Sequence, residues 1–227
     1  MKIKYQYFPE LDIQKDINTS MELLSREKPS WWKKITPYIN KIKNPRELLE
    51  SVSKEKLFSG KRFSTIKRCH GIHSLFKRSV LLKWPCDVLL EIEEDGSYKW
   101  RAGNNDIHIG FHHPDQAPVY LGEKYAFIKP AFKFFYSTTE NCLISFIDPI
   151  LHKKQPYNVC PGIIENKKNK KMELNVILLF DKGSKQQYFF KAGDPLAVVQ
   201  FDKNITSLEQ SDKILNLPTT FSRNSLF

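Results

Sequence analysis

The segment SVLLKWPCDVLLEIEEDGSYKWRA, residues 79–102, decides the fold class of this chain. It holds apolar, strand-like runs on either side of a polar turn, and Asp95-Gly96 in that turn is a dipeptide typical of tight β-hairpins. We therefore predict a hairpin here, with its turn at Asp95-Gly96.

The chain beyond about residue 63 repeats this pattern. Short apolar segments follow one another closely and are separated by Pro, Gly, Asn and Asp, which indicates a sandwich or barrel rather than alternating β/α units. With 41% apolar and 13% aromatic residues, the 227-residue chain can fill one large core. We predict a mainly β fold, a single antiparallel sandwich or barrel of the β-clip or jelly-roll-like type, over residues 61–205.

The two ends of the chain carry helix signals instead. Apolar residues at helical spacing predict helices over residues 16–27 and 45–57, and Asn44 is a plausible N-cap before a proline at the first helical position. We therefore predict a helical arm or layer over residues 1–60. Residues 206–227 are predicted to form a short helix and a tail.

The formal net charge of +11 would suit a polyanionic partner such as nucleic acid or an acidic protein surface. Lysines are spread along the whole sequence, so composition alone predicts nonspecific attraction and leaves open whether the basic residues form a patch. The four cysteines are scattered without a CxxC pair, which favours reduced thiols in a cytoplasm. Cys86 and Cys142 lie in apolar runs and are predicted to be core residues.

No apolar run approaches the roughly 20 residues that span a bilayer, and the start lacks a secretory signal, so we expect a protein that is neither secreted nor transmembrane.

Residues 107–116, IHIGFHHPDQ, contain three of the six histidines. A strand would place His108 and His112 on one face and Ile109 and Phe111 on the other, so the simplest interpretation is a strand with its apolar side chains in the core. Whether these histidines bind a metal is left open by the sequence.

Two metal hypotheses remain beside that interpretation. His113 and Asp115 match the HxD half of the two-histidine, one-carboxylate Fe(II) site of jelly-roll oxygenases, with His152 as the distal ligand. A structural zinc bound by His108, His112 and a cysteine is the other hypothesis.

Three further groups are candidates for binding or catalysis. Trp31 and Trp32 could stack on bases, but we favour the interpretation that at least one of them anchors the arm to the β body, because Trp supplies a large buried area. The tail ends in Leu226-Phe227, which would dock on the body or on another subunit.

The segment RCHGIHSLFKR offers Cys69 with His70 and His73, and a thiol beside imidazoles could act as a nucleophile. No partnering carboxylate is visible in the sequence. We therefore predict a basic surface turn here.

Residues 160–201 carry a resemblance to a known superfamily. Residues 161–165, PGIIE, and residues 193–201, GDPLAVVQF, resemble the PG(I/V)ID turn and the closing strand of dUTPases and dCTP deaminases. The resemblance implies a related barrel, and it implies that Glu165 takes the place of the carboxylate that orients on the sugar or activates water. This chain has NKKNKK where those enzymes have Tyr-Arg-Gly, so the shape is carried over more readily than the reaction.

The whole chain is also similar to a family of uncharacterised proteins of tailed bacteriophages, through PSWWKK, STIKRC, WPCDVLLEI, HHPDQ, PGIIEN and GDPLAVVQF. This resemblance implies a viral context, in the host cytoplasm or the virion, with copies of the chain or other viral subunits as partners. We predict a β-rich binding or virion accessory protein without catalysis. The alternative is an enzyme on the same barrel, either nucleotide-directed through Glu165 or Fe(II)-dependent through His113, Asp115 and His152.

Overall fold

The computed structural model describes residues 1–7, 21–39, 63–103, 108–111, 118–131, 134–149 and 151–210. Within these residues the chain is mainly β, and its largely antiparallel sheets form a β sandwich and not a closed barrel. The predicted fold class is confirmed in its sandwich form.

The strands of the described part are β1 (Lys2–Tyr7), β2 (Met21–Leu23), β3 (Tyr38–Ile39), β4 (Phe63–Ser64), β5 (Ser79–Lys83), β6 (Val88–Ile92), β7 (Tyr98–Ala102), β8 (His108–Phe111), β9 (Tyr125–Ala131), β10 (Phe134–Thr138), β11 (Cys142–Ile147), β12 (Asn158–Val159), β13 (Ile163–Asn166), β14 (Met172–Glu173), β15 (Leu178–Asp181), β16 (Gln186–Phe190), β17 (Pro195–Phe201) and β18 (Ser207–Gln210). The helices are α1 (Ser30–Lys34), α2 (His70–Arg78) and α3 (Val119–Lys124), and a 3-10 turn, η1 (Ile66–Arg68), precedes α2. No helix in these described ranges is long and apolar enough to cross a membrane.

The largest sheet has the order β13-β11-β17-β5-β2 and is antiparallel throughout. Its central strands are apolar on both faces because each face covers a different core. Val80 and Leu82 of β5 enter the main core, which all the larger sheets share, whereas Leu81 points to the opposite face. On that outer face Leu81 and Val198 form a second core with Leu24, Trp32 and Phe76.

The hairpin predicted at Asp95-Gly96 is confirmed as β6 and β7. The Glu93 amide donates to the Ser97 carbonyl (2.8 Å), and the Asp95 carboxylate accepts from the Ser97 amide (2.8 Å). Gly96 has a φ of +86°, a left-handed conformation that glycine adopts without the steric cost of a Cβ. Strand β16 pairs with the other edge of β6 and completes a three-stranded sheet.

Residues 79–87 do not belong to that hairpin. The chain leaves β5 at Lys83, and β6 lies in a different sheet. Between them the fully buried ring of Trp84 stacks on Phe190, with centroids 4.6 Å apart and planes 6° apart. This crossing residue joins the two sheets to one core.

One predicted helix is wrong where the structure describes it. Met21–Leu23, inside the helix predicted over residues 16–27, is strand β2, in which Met21 and Leu23 are buried and Glu22 is half-buried. Pairing with a neighbouring strand overrides the local helical pattern there. Ser207–Gln210, at the start of the C-terminal region, is β18 and runs parallel to β1. The rest of that region lies outside the described residues, so its short helix stays a prediction. The helix predicted over residues 45–57 lies outside the described residues, and the domain boundaries at 60 and 205 stay predictions.

The remaining sheets are β14-β10-β1-β18 and β12-β15-β9-β8, and β3 pairs with β4. Strand β8, which contains His108 of the histidine-rich segment, pairs with β9. Ile109 is buried and His108 is exposed, as alternation predicts, but Phe111 is 55% exposed and does not enter the core. The prediction for Phe111 is wrong because β8 is an edge strand and Phe111 is its last residue. Cys142 is buried as predicted, and Cys86 is half-buried.

Candidate functional site

Glu165, the catalytic candidate, lies on β13, which is an edge of the five-stranded sheet. Its side chain is exposed, and within the described part of the chain its carboxylate makes no hydrogen bond or ion pair. The next residue, Asn166, is buried and donates from Nδ2 to Thr138 Oγ1 (2.5 Å). One residue of this strand therefore fixes it to the body while its neighbour faces solvent.

Among the residues that the structure describes, the backbone of β13 has unpaired N–H and C=O groups at this edge. The Leu143 amide donates to Asp202 Oδ1, and the Asp202 amide donates to the Leu143 carbonyl, both at 3.1 Å, so the backbone of Leu143 points toward β17. In an antiparallel ladder the alternate residues of β11 then bond to β13, at Ile164 and Asn166. The N–H and C=O groups of Ile163 and Glu165 consequently point away from the sheet.

Exposed apolar side chains lie beside these groups. Ile163 is 75% exposed and Leu143, on the paired strand, is 48% exposed. The strand register puts both on the outer face of the sheet, the face that carries the second core at its other end. We call this region, the outward backbone of Ile163–Asn166 with the side chains of Ile163 and Leu143, the β13 edge.

His152, the distal candidate for the iron site, has a structural contact. Its half-buried ring donates from Nε2 to the backbone carbonyl of Glu27 (2.7 Å). The other two candidates, His113 and Asp115, lie outside the described residues, as does His112. Among the residues that the structure describes, no three His, Cys, Asp or Glu side chains are placed to hold a metal ion. The iron and zinc hypotheses stay predictions.

A charge cluster that sequence reasoning missed lies next to His152. The Lys83 ammonium at the end of β5 contacts Glu22 Oε1 at 3.1 Å and Glu27 Oε1 at 3.2 Å, and the Lys83 side chain is only 12% exposed. Burial raises the pKa of Glu27, but hydrogen bonds with Glu22 and Lys83 outweigh burial and leave that pKa below its ordinary value. The cluster ties the segment after β2 to β5. No local signal could reveal it, because the partners are far apart in sequence.

The tryptophan pair anchors α1 to the body. Trp32 is buried and packs edge-on against Phe76, with centroids 4.8 Å apart, and Trp31 donates from Nε1 to the carbonyl of Leu151 (2.6 Å). The favoured interpretation, in which at least one Trp holds the N-terminal segment on the β body, is confirmed for Trp32. Its buried ring leaves little surface for a base or a partner. The other partner-binding candidates, Leu226 and Phe227, lie outside the described residues.

The segment after Cys69 is a helix and not the predicted basic surface turn. Phe76 is buried, and Ile72 and Leu75 pack against the same second core, so the apolar spacing is that of a helix. His73 donates from Nε2 to the Lys67 carbonyl (2.7 Å), which ties α2 to η1.

Comparisons of this chain with protein-family models, with curated proteins and with solved structures give no match. The resemblances to dUTPase-like barrels and to a bacteriophage family therefore stay predictions from sequence. The two segments behind the first resemblance form β13 and β17, which both pair with β11 in one sheet.

Proposed function

We propose that this protein is a β-rich binding and assembly protein without catalysis, which joins a second copy of itself through the β13 edge. This proposal is supported by the N–H and C=O groups of Ile163 and Glu165, which point away from the sheet beside the exposed Ile163 side chain. An edge of this kind is a template for another strand, because its outward N–H and C=O groups can form hydrogen bonds with that strand. A virion or accessory role, implied by the bacteriophage resemblance, belongs to the same proposal.

Assembly through an exchanged N-terminal arm has less support than assembly through this edge. An arm that binds a neighbouring subunit would leave its anchoring side chains free, whereas Trp32 is buried in the second core of its own chain. The enzymatic alternative through Glu165 also has less support, since that carboxylate is exposed on an edge strand.

The test is sedimentation equilibrium of the full chain over a wide concentration range. Wild-type protein should show a monomer–dimer equilibrium. Ile163→Lys should abolish the dimer, because it places a charge where two edges would meet. The folded monomer should keep its stability within about 0.5 kcal/mol, since the replaced side chain is a surface one.

Phe189→Lys is the matched control, because Phe189 is 56% exposed and lies on β16, an edge strand of another sheet. It should leave the dimer intact. Glu165→Pro tests the backbone directly, since it removes an outward N–H and no ladder hydrogen bond of the monomer, and it should also prevent association. Wild-type protein that stays monomeric at every concentration would refute self-association through this edge, and equal loss of the dimer in Phe189→Lys would refute its location.

A further inference from the structure

Most of the net positive charge lies in one layer of the fold. Residues 24–39 and 63–78 together contain eight Lys or Arg residues and one Glu, a net charge of +7 out of the formal +11 of the whole chain. We call these two segments the basic layer. The sequence alone left open whether the basic residues form a patch. The basic residues of the layer are Arg26, Lys28, Lys33, Lys34, Lys67, Arg68, Lys77 and Arg78.

The layer is built as one unit on the outer face of the five-stranded sheet. Trp32 of α1 packs against Phe76 and against the His73 ring of α2, the latter at 5.6 Å. The Thr65 amide donates to the Pro37 carbonyl (3.1 Å), which joins the segment before α2 to the segment after α1. Lysines that are far apart in the sequence are thereby carried by two segments that pack together.

The positive charge of this surface is not cancelled within the layer. Its one acidic residue, Glu27, contacts Lys83 of the sheet. Arg26, Lys33, Lys34 and Lys77 are exposed, and none of these four forms an ion pair with any residue that the structure describes. An anionic partner would therefore meet several solvated cations at once.

We propose that the basic layer binds the phosphate backbone of nucleic acid. This inference goes beyond the proposed assembly function and uses a different surface. Phosphate contacts need exposed Lys and Arg and no apolar centre, and such contacts fix position without reading sequence. Binding is therefore independent of base sequence and strongly dependent on salt.

Two other anionic partners fit the layer less well. A helix that binds a membrane surface keeps its apolar face outward, whereas the apolar side chains of α2, Ile72, Leu75 and Phe76, turn inward to the second core. The core of a protein–protein interface is depleted of Lys, whereas four of the six exposed basic residues of this layer are Lys. Phosphate groups along a polynucleotide match the spread of charge better than either.

The experiment measures fluorescence anisotropy of a labelled DNA duplex of mixed sequence, and of its single strand, at increasing NaCl with the full-length protein. If Arg26, Lys33, Lys34 and Lys77 contact four phosphates, log K should fall against log [NaCl] with a slope of about −3.6 for the duplex and about −2.8 for the single strand. A second duplex of unrelated sequence should bind equally well.

The variant Lys33→Ala with Lys34→Ala removes two of the four contacts. The duplex slope should fall to about −1.8, and affinity at 50 mM salt should drop by about 200-fold from counterion release alone. The matched control is Lys167→Ala with Lys168→Ala, which removes the same charge from two exposed lysines that follow β13. The control should keep affinity within a few-fold, and thermal unfolding of both variants checks that the fold is intact.

Four results would overturn the proposal. The first is no binding of DNA at low salt, and the second is an equal loss of DNA affinity in the two double variants. The third is tighter binding to poly-glutamate than to either DNA. The fourth is tighter binding to vesicles of phosphatidylserine and phosphatidylcholine in equal parts than to either DNA. Sedimentation without nucleic acid tests the β13 edge separately, so failure of one proposal is distinguishable from failure of the other.

Discussion

Replacing Lys83 with methionine should destabilise the protein in a pH-dependent way. The ammonium group of Lys83 contacts the carboxylates of Glu22 and Glu27, and the three side chains are 12%, 30% and 44% exposed, respectively. Methionine keeps much of the apolar stem of lysine and removes the charge. The variant therefore leaves two neighbouring carboxylates without their shared cation.

The expected cost lies between two known limits. Breaking a buried ion pair costs about 3–5 kcal/mol, whereas exposed pairs contribute about 0–1 kcal/mol. Since Lys83 is largely buried but both carboxylates are partly solvated, we expect a loss of about 2 kcal/mol at neutral pH. For a chain of this size, that loss corresponds to a decrease in Tm of about 4–8 °C.

The pH dependence follows from the lowered pKa of Glu27. Burial raises this pKa, but hydrogen bonds with Glu22 and Lys83 bring it below the ordinary value of 4.5. A group with a depressed folded-state pKa contributes stability that is fully present above its unfolded pKa and is lost as pH falls through the folded one. The difference between wild type and Lys83→Met should therefore be largest near pH 7 and should shrink once the pH falls below 4.5.

Urea unfolding at pH 7 and at pH 4 measures both free energies. Lys185→Met is the control, because Lys185 also contacts a carboxylate, that of Glu93 at 2.8 Å, but is 60% exposed. It should cost no more than about 1 kcal/mol at pH 7. A Lys83→Met effect that is equal at both pH values would refute the assigned role of the cluster.

Three further predictions concern packing, backbone and thiols. Trp32→Ala should lower the free energy of unfolding by about 3–5 kcal/mol in urea titrations, because it empties the second core, and a loss below that range would contradict the described packing. Gly96→Ala should cost about 1–2 kcal/mol because of the φ of +86°, whereas Gly162→Ala, where an added Cβ meets nothing within 4 Å, should be nearly neutral; equal effects would be inconsistent with the turn. A thiol reagent should label the exposed Cys69 in the native protein and reach Cys142, whose pKa burial raises, only after unfolding; rapid native labelling of Cys142 would contradict its burial.

Local chemistry explains the features that sequence alone predicts correctly. The hairpin at Asp95-Gly96 follows from a turn that needs a positive φ, and the mainly β class follows from alternating apolar residues in short segments. Anchoring by Trp32 follows from the size of its side chain. These predictions hold because each depends on residues within a few positions of one another.

The candidate sites depend on residues that are distant in sequence. The residues near Glu165 do not indicate that β13 is a sheet edge. The position of β13 in the sheet depends on the order of strands from three separate parts of the chain. The helical spacing of Ile72 and Phe76 was present in the sequence, yet the basic residues around it favoured a surface turn. The His113 and Asp115 hypothesis lies outside the described residues and stays a prediction.

The sequence by itself determined most strand-forming segments after residue 63, the hairpin turn and the total charge, because propensity, turn geometry and ionisation are properties of single residues and close neighbours. Only the tertiary structure decided that Met21–Leu23 and Ser207–Gln210 are strands, that Lys83 contacts two glutamates, and that residues 24–39 and 63–78 concentrate the positive charge. Hydrogen bonding between strands and Coulomb interaction between side chains depend on distance in space, and folding brings together groups that the sequence keeps apart.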